Sequence, residues 1–217
     1  YIYPNFTLEE ILVFYQGIYP GWNKTRCQKL LKLFNLDRRK KLKYLSKGMR
    51  AQFSILLGLS IMPQVLILDE PTSGLDPVVK QKVLDLIIDE VGAYKTTVVI
   101  SSHNLSQLER VCDHIGIIHQ GKMLLDVSVE KLKSQVRKIQ VAFKDGLPDG
   151  ILENPNILKA ENTGRIYHIV VQDNLDQVIQ ELGAYNPILL ETIDMTLEEI
   201  FIYKMGGEGY DLKDIAL

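Results

Sequence analysis

Four aliphatic residues, Val65 to Leu68, stand in a row directly before the acidic pair Asp69-Glu70. A run of this kind, without alternation of apolar and polar residues, predicts a strand that is buried on both faces. A second apolar run, Val98 to Ile100, follows a segment with helical spacing. Strands that alternate with helices are typical of a parallel sheet covered by helices, so the sequence predicts an α/β layer.

The 217 residues have room for one large domain, or for one domain and a smaller one. With 46% hydrophobic residues and a net charge of -2, the chain is neither a disordered acidic tail nor, as a whole, electrostatically suited to nucleic acid. The longest apolar run, Ile55 to Met62, is too short to cross a bilayer. Cys27 and Cys112 form no metal-type spacing, which favours a reducing, cytosolic setting.

The pattern of the chain changes near Asp126. From there on, apolar and polar residues alternate, as at Ile139, Val141 and Phe143, and a turn at Asn162 to Gly164 separates two further strands. The order strand, short helix, two strands, helix, strand predicts a small ferredoxin-like unit. We therefore expect two domains, residues 1–126 and residues 127–217.

Asp69 and Glu70 are the first candidates for chemistry, since they follow a predicted core strand. At the carboxyl end of that strand, Asp69 could hold Mg²⁺ through water, because hard cations prefer carboxylate and water oxygens. Glu70, one residue further, could polarise an attacking water. The alternative is that the two carboxylates only begin a surface loop.

Ser46, Gly48 and His103 are candidates for binding phosphate. Ser46 and Gly48 stand at the start of a predicted helix, where a hydroxyl and free backbone amides form an anion site. His103 follows the second predicted strand and, in its neutral form, could hydrogen-bond a terminal phosphate. Taken singly, these residues are better explained by structure: Ser46 as a helix cap, Gly48 as a tolerated helix residue and His103 as a histidine at a strand end.

In combination, and in this order, these segments resemble the ATP-binding cassette (ABC) ATPases over residues 1–126. Leu45 to Met49 resembles the signature motif, Val65 to Glu70 the Walker B motif, Ser73 to Asp76 the D-loop, and His103 the switch histidine. The resemblance implies a P-loop NTPase-type cassette, with a parallel-sheet core and a helical signature subdomain, followed by a small C-terminal α+β extension.

The resemblance also implies the ligands and partners. ATP and Mg²⁺ would be bound between two cassettes, of the same or of different sequence, in a head-to-tail dimer. Ser46, Lys47 and Gly48 of one subunit would contact the nucleotide held by the other, and Asp76 would line the interface. Transmembrane permease subunits would hold the dimer at the inner face of the membrane, and no nucleic acid is expected as a partner.

The sequence departs from the family pattern at two points. It contains no G-x-x-x-x-G-K-[S/T], the loop that cradles phosphates, and we expect that this N-terminal part of the cassette is missing from the chain. The signature has Lys47 and Met49 where the family usually has glycine and glutamine. These departures resemble the bacterial drug and antibiotic exporters. Lys47 could add a cation near the partner's ATP, or simply be a solvated lysine at a helix start.

The sequence thus predicts an ATPase that powers a transporter, in the direction of export. Asp69 would hold Mg²⁺, Glu70 would act as the base and His103 would sense the terminal phosphate. Two alternatives stay open: a soluble ABC-type ATPase that acts on ribosomes or nucleic acid, and a regulatory cassette without turnover.

Overall fold

The structure is a computed structural model that describes residues 4–207. Contacts divide the chain into two compact units, with the division between His103 and Asn104. The elements of the first unit are α1 (Leu8–Ile18), α2 (Lys24–Leu33), a 3₁₀ turn (Leu42–Tyr44), α3 (Lys47–Ser60), β1 (Val65–Asp69), α4 (Pro77–Tyr94) and β2 (Thr97–Ser101).

Side-chain caps determine where the helices of the first unit begin. Thr7 and Glu10 form a reciprocal capping box at α1, and hydrogen bonds from the Thr7 backbone N–H and hydroxyl hold the pKa of Glu10 below its usual range. Asn23 accepts the Arg26 backbone N–H at α2. The apolar faces of these helices pack into one core with α3, whose most buried members include Leu8, Ile11, Phe53, Leu56 and Leu59.

β1 and β2 form a parallel pair, as the sequence predicts, with α4 as the connection between them. The prediction that β1 is buried on both faces is wrong for the described residues, because Val65 and Ile67 are exposed while Leu66 is buried. Val99 on β2 is also exposed. In the part of the chain that the structure describes, the sheet has two strands, and only the face that bears Leu66 meets the helical core.

The second unit combines a hairpin with a four-stranded sheet. Neighbouring strands of this sheet are antiparallel in the order β6-β7-β5-β8, which is the strand order of the ferredoxin-like arrangement. The elements are α5 (Leu105–Val111), β3 (His114–His119), β4 (Lys122–Ser128), α6 (Val129–Gln135), β5 (Val136–Ala142), a 3₁₀ turn (Ile151–Glu153), β6 (Ile157–Thr163), β7 (Ile166–Gln172), α7 (Leu175–Ala184), β8 (Leu189–Ile193) and α8 (Leu197–Gly207).

The division into units differs from the expected domain boundary. The first compact unit ends at His103, whereas the boundary expected between residues 126 and 127 falls inside β4. The β3–β4 hairpin belongs to the second unit. The expected boundary near residue 126 stays a prediction of where the cassette ends. Within residues 4–207, no helix is both long enough and apolar enough to cross a membrane.

Candidate nucleotide site

The ends of β1 and β2 bring two polar side chains together. Asp69 and Ser101 are register partners, and the Ser101 hydroxyl donates to Asp69 Oδ1. The next backbone N–H, that of Glu70, donates to both Ser101 Oγ at 3.0 Å and the Ser101 carbonyl at 3.2 Å. The carboxyl edge of the strand pair is therefore fixed by hydrogen bonds that converge on Ser101.

Glu70 and His103 contact each other directly beyond this edge. Glu70 Oε1 accepts the His103 backbone N–H at 2.9 Å and lies 2.8 Å from His103 Nδ1. Because a carboxylate only accepts, the proton of this contact belongs to Nδ1. The His103 side chain is 69% exposed and that of Glu70 is 35% exposed, so both groups can reach a bound ligand.

The backbone of Glu70 is in the left-handed region, with a φ of 44°. This conformation is rare for a residue with a side chain and costs roughly 1–2 kcal/mol. The strained residue begins a turn in which the Ser73 N–H donates to the Glu70 carbonyl at 3.1 Å. A strained backbone that is held by hydrogen bonds at both ends is typical of functional sites.

The start of α3 presents the predicted phosphate-binding residues. Ser46 is the N-cap, and its hydroxyl accepts the Met49 backbone N–H at 3.2 Å. Ser46 and Lys47 are exposed, while Gly48 is half-buried. The Ser46 hydroxyl therefore has a capping role, and the end of the helix that attracts anions is accessible.

Gly48 and Gly74 are the points at which the α3 start and the turn after β1 pack together. A Cβ added to Gly48 would lie 3.3 Å from a methyl carbon of Leu75, and one added to Gly74 would lie 3.5 Å from the side chain of Lys47. Gly74 has a φ of 71°, which favours glycine. The sequence did not predict this contact, because no periodic pattern relates residues of two separate loops.

Asp76 ends the same turn and begins α4. Its Oδ1 accepts the backbone N–H groups of Val78 at 3.1 Å and Val79 at 3.0 Å, and Pro77 occupies the first helical position. Because Asp76 is exposed, it can cap α4 and also lie at a subunit surface.

All seven predicted site residues lie in the first unit, and contacts connect them through the turn 70–76. Ser101 is a residue of this arrangement that the sequence did not predict, and Gly74 was expected only as part of the D-loop. The signal for Ser101 was its register opposite Asp69, which becomes readable only when the two strands are paired in parallel. Asp69 fits Mg²⁺ held together with phosphates and water, since this cation takes one or two carboxylates in such sites.

Known proteins are similar to this chain along most of its length. A family model described as "AAA domain, putative AbiEii toxin, Type IV TA system" matches residues 28–109. The ABC transporter ATP-binding protein YtrB of Bacillus subtilis is 31% identical over 206 residues, which cover 95% of this chain and 70% of YtrB. The bacitracin transport ATP-binding protein BcrA of Bacillus licheniformis is 31% identical over 221 residues, covering 94% of this chain and 70% of BcrA.

Two solved structures have a similar fold. The ATP-binding subunit of an ABC transporter superimposes with a TM-score of 0.55 at 27% identity, over 62% of this chain and 57% of that one. A putative cobalt transport ATP-binding protein superimposes with a TM-score of 0.52 at 18% identity, over 80% of this chain and 61% of that one, which concerns the fold alone. The predicted cassette fold is confirmed, and the chain belongs to the family of ABC transporter ATP-binding proteins.

Proposed function

We propose that the protein, in its full-length form, hydrolyses ATP and thereby drives export through separate membrane subunits. The observation that carries this proposal is the contact between Glu70 and His103 at the carboxyl edge of the parallel strand pair. A general base needs a carboxylate that is held in position yet open to water, and Glu70 combines both properties. The name of BcrA, a bacitracin transport ATP-binding protein, supports transport as the purpose of the hydrolysis.

In the proposed mechanism, the Glu70 carboxylate accepts a proton from the attacking water. His103 orients that carboxylate through its backbone N–H and Nδ1, and its exposed ring is available to a terminal phosphate. Asp69, held by the Ser101 hydroxyl, would bind Mg²⁺. When bound, this ion neutralises phosphate charge that develops during the reaction.

The same proposal includes a second cassette subunit, of the same or another sequence. Ser46, Lys47 and Gly48 would complete the nucleotide site of that subunit, and Asp76 would lie at the interface. The exposure of Ser46, Lys47 and Asp76 supports this arrangement, since a residue that binds across an interface must be accessible in the single chain. The cassette pair would be held peripherally at the inner face of the membrane by permease subunits.

The test is the variant Glu70→Gln in the full-length protein. A glutamine side chain keeps the size and polarity of glutamate but cannot accept a proton, so ATP turnover should fall roughly a hundredfold or more while ATP binding persists. The matched control is Asp89→Asn on the exposed surface of α4, which should leave turnover unchanged. Equal turnover in Glu70→Gln and in the unmodified protein would refute the assignment of Glu70 as the base.

A further inference from the structure

Positive charge is concentrated in one short part of the chain. Eleven of the 25 lysines and arginines lie between Lys24 and Arg50, together with one of the 27 acidic residues. The whole chain nevertheless has a net charge of -2, so the remaining sequence is acidic. An uneven distribution of this kind produces a local positive field that orients the molecule toward an anionic partner.

A cleft of about 630 Å³ lies within this segment, between the end of α2 and the turn that follows it. We call it the basic cleft, because three of the residues that line it are cationic: Lys32, Arg38 and Arg39. Leu31 and Leu36 also line it and are buried. The cleft therefore combines a cationic rim with apolar residues.

Within residues 4–207, two of the three cations lack an acidic partner. Arg38 pairs with Glu9 at 3.1 Å. The carboxylate of Asp37, also at the cleft, accepts the backbone N–H of Arg39 at 3.0 Å and so caps the turn. Among the described residues, no carboxylate lies within ion-pair distance of the Lys32 ammonium or the Arg39 guanidinium. These two groups keep their charge available for an external anion.

Apolar side chains are exposed beside the cations of this segment. Outside the basic cleft, Leu33, the residue after Lys32, is 42% exposed and lines a neighbouring cleft between α2 and α4. Tyr44 is 64% exposed, with the Lys43 ammonium 5.1 Å from its ring centroid. Leucine offers neither hydrogen bonds nor a stacking face to a nucleic acid, whereas it partitions into the boundary between lipid headgroups and acyl chains. Tyrosine is likewise enriched at membrane interfaces.

We infer that the basic cleft binds the phosphate of anionic phospholipid headgroups, with Lys32 and Arg39 as the main contacts. Gln28 and Asn35 also line the cleft, and a side-chain amide of this type can donate further hydrogen bonds to phosphate oxygens. The inference takes its cellular setting from the proposed membrane-associated function and adds to it a direct contact with lipid. Each lysine or arginine near an anionic surface strengthens such binding about fivefold.

The test is sedimentation of the full-length protein with vesicles, in the absence of permease subunits. Binding to vesicles of about 30% phosphatidylglycerol in phosphatidylcholine should exceed binding to pure phosphatidylcholine, and about 0.5 M salt should release the protein because it screens charge. The double variant Lys32→Gln/Arg39→Gln should bind the anionic vesicles roughly thirtyfold more weakly. The control Lys82→Gln/Lys122→Gln removes the same charge from exposed positions elsewhere and should bind normally.

Equal binding to neutral vesicles, or an unchanged Lys32→Gln/Arg39→Gln variant, would overturn the inference. Release by millimolar inorganic phosphate at constant ionic strength would identify a site for free phosphate instead, and stronger binding to duplex DNA than to anionic vesicles would identify a nucleic-acid surface. The two proposals are tested by different measurements on the double variant. Vesicle binding tests the lipid contact, and ATP turnover tests the proposed function. Normal turnover of the unmodified protein without vesicle binding refutes the lipid contact alone.

Discussion

At the level of single residues, two positions in the turn after β1 have a left-handed backbone. Gly74 has a φ of 71° and Glu70 a φ of 44°. Glycine tolerates this conformation at position 74, whereas glutamate at position 70 does not adopt it readily. Gly74 also lies against the side chain of Lys47, so its substitution tests both the backbone and the contact.

We expect Gly74→Ala to lower the free energy of unfolding by about 1 kcal/mol. The added methyl group would meet flexible Lys47 carbons at 3.5 Å, an ordinary contact, so the cost arises from the backbone. Denaturant titration measures it. The control is Gly92→Ala in α4, where a Cβ meets nothing within 4 Å and the free energy of unfolding should rise by about 0.5 kcal/mol. Equal effects of the two variants would contradict this account.

At the level of elements, a buried ion pair joins α2 to α4. Arg26 donates to Glu90, whose side chain has no exposed surface, and the Thr96 hydroxyl donates to the other carboxylate oxygen at 2.9 Å. The Arg26 guanidinium also lies 4.0 Å from the ring centroid of Tyr94. The position of α2 relative to α4 therefore depends on a charge that has little access to water.

Glu90→Gln should lower the free energy of unfolding by about 3 kcal/mol, since it leaves the Arg26 charge buried without a counter-charge. The neighbouring variant Asp89→Asn removes the same charge from an exposed position and should change stability by less than about 0.5 kcal/mol. Thermal or denaturant unfolding compares the two. Similar losses in both would mean that net charge, rather than the buried pair, determines the effect.

The elements that the sequence predicts well are those whose ends depend on local hydrogen bonds. The start of α3 is an example, because Ser46 was a candidate helix cap and its hydroxyl accepts the Met49 N–H three residues away. The helix α6 was not predicted, since only Val129 and Leu132 among its residues are apolar, which is too few to define a period. The exposed face of β1 was mispredicted because the aliphatic run does not indicate what covers it.

The candidate site was predicted in part from the sequence. Asp69, Glu70 and His103 were expected at one edge of the sheet because parallel strands end there together, and the structure brings them to that edge. The left-handed backbone of Glu70 and the packing of Lys47 against Gly74 were not predictable. Both depend on the path of a turn in space, which residue types alone do not determine.

At the level of the whole molecule, the chain has separate hydrophobic cores in its two compact units. The core of the first unit contains Leu56, and Trp22, the chain's one tryptophan, packs against it. Ile139 belongs to a core whose members all lie in the second unit. Since neither core shares residues with the other, a cavity in one should leave the packing of the other intact.

We therefore expect Leu56→Ala and Ile139→Ala, both at fully buried positions, each to destabilise its own unit by about 3 kcal/mol. Tryptophan fluorescence reports on the first unit, and far-ultraviolet circular dichroism reports on both. Leu56→Ala should shift the fluorescence transition, whereas Ile139→Ala should leave it in place and shift only part of the dichroism. An equal fluorescence shift in both variants would show that the chain unfolds as one cooperative body.

The left-handed backbone of Glu70 also affects which substitutions at this position would stabilise the protein. Glycine would relax the conformation at position 70, yet it would remove the carboxylate that His103 contacts and that the proposed mechanism needs as its base. Ranked by folding free energy, the preferred replacement is thus the one that removes the proposed base. With Glu70 as the base, selection for thermostability and selection for turnover would act in opposite directions at this position.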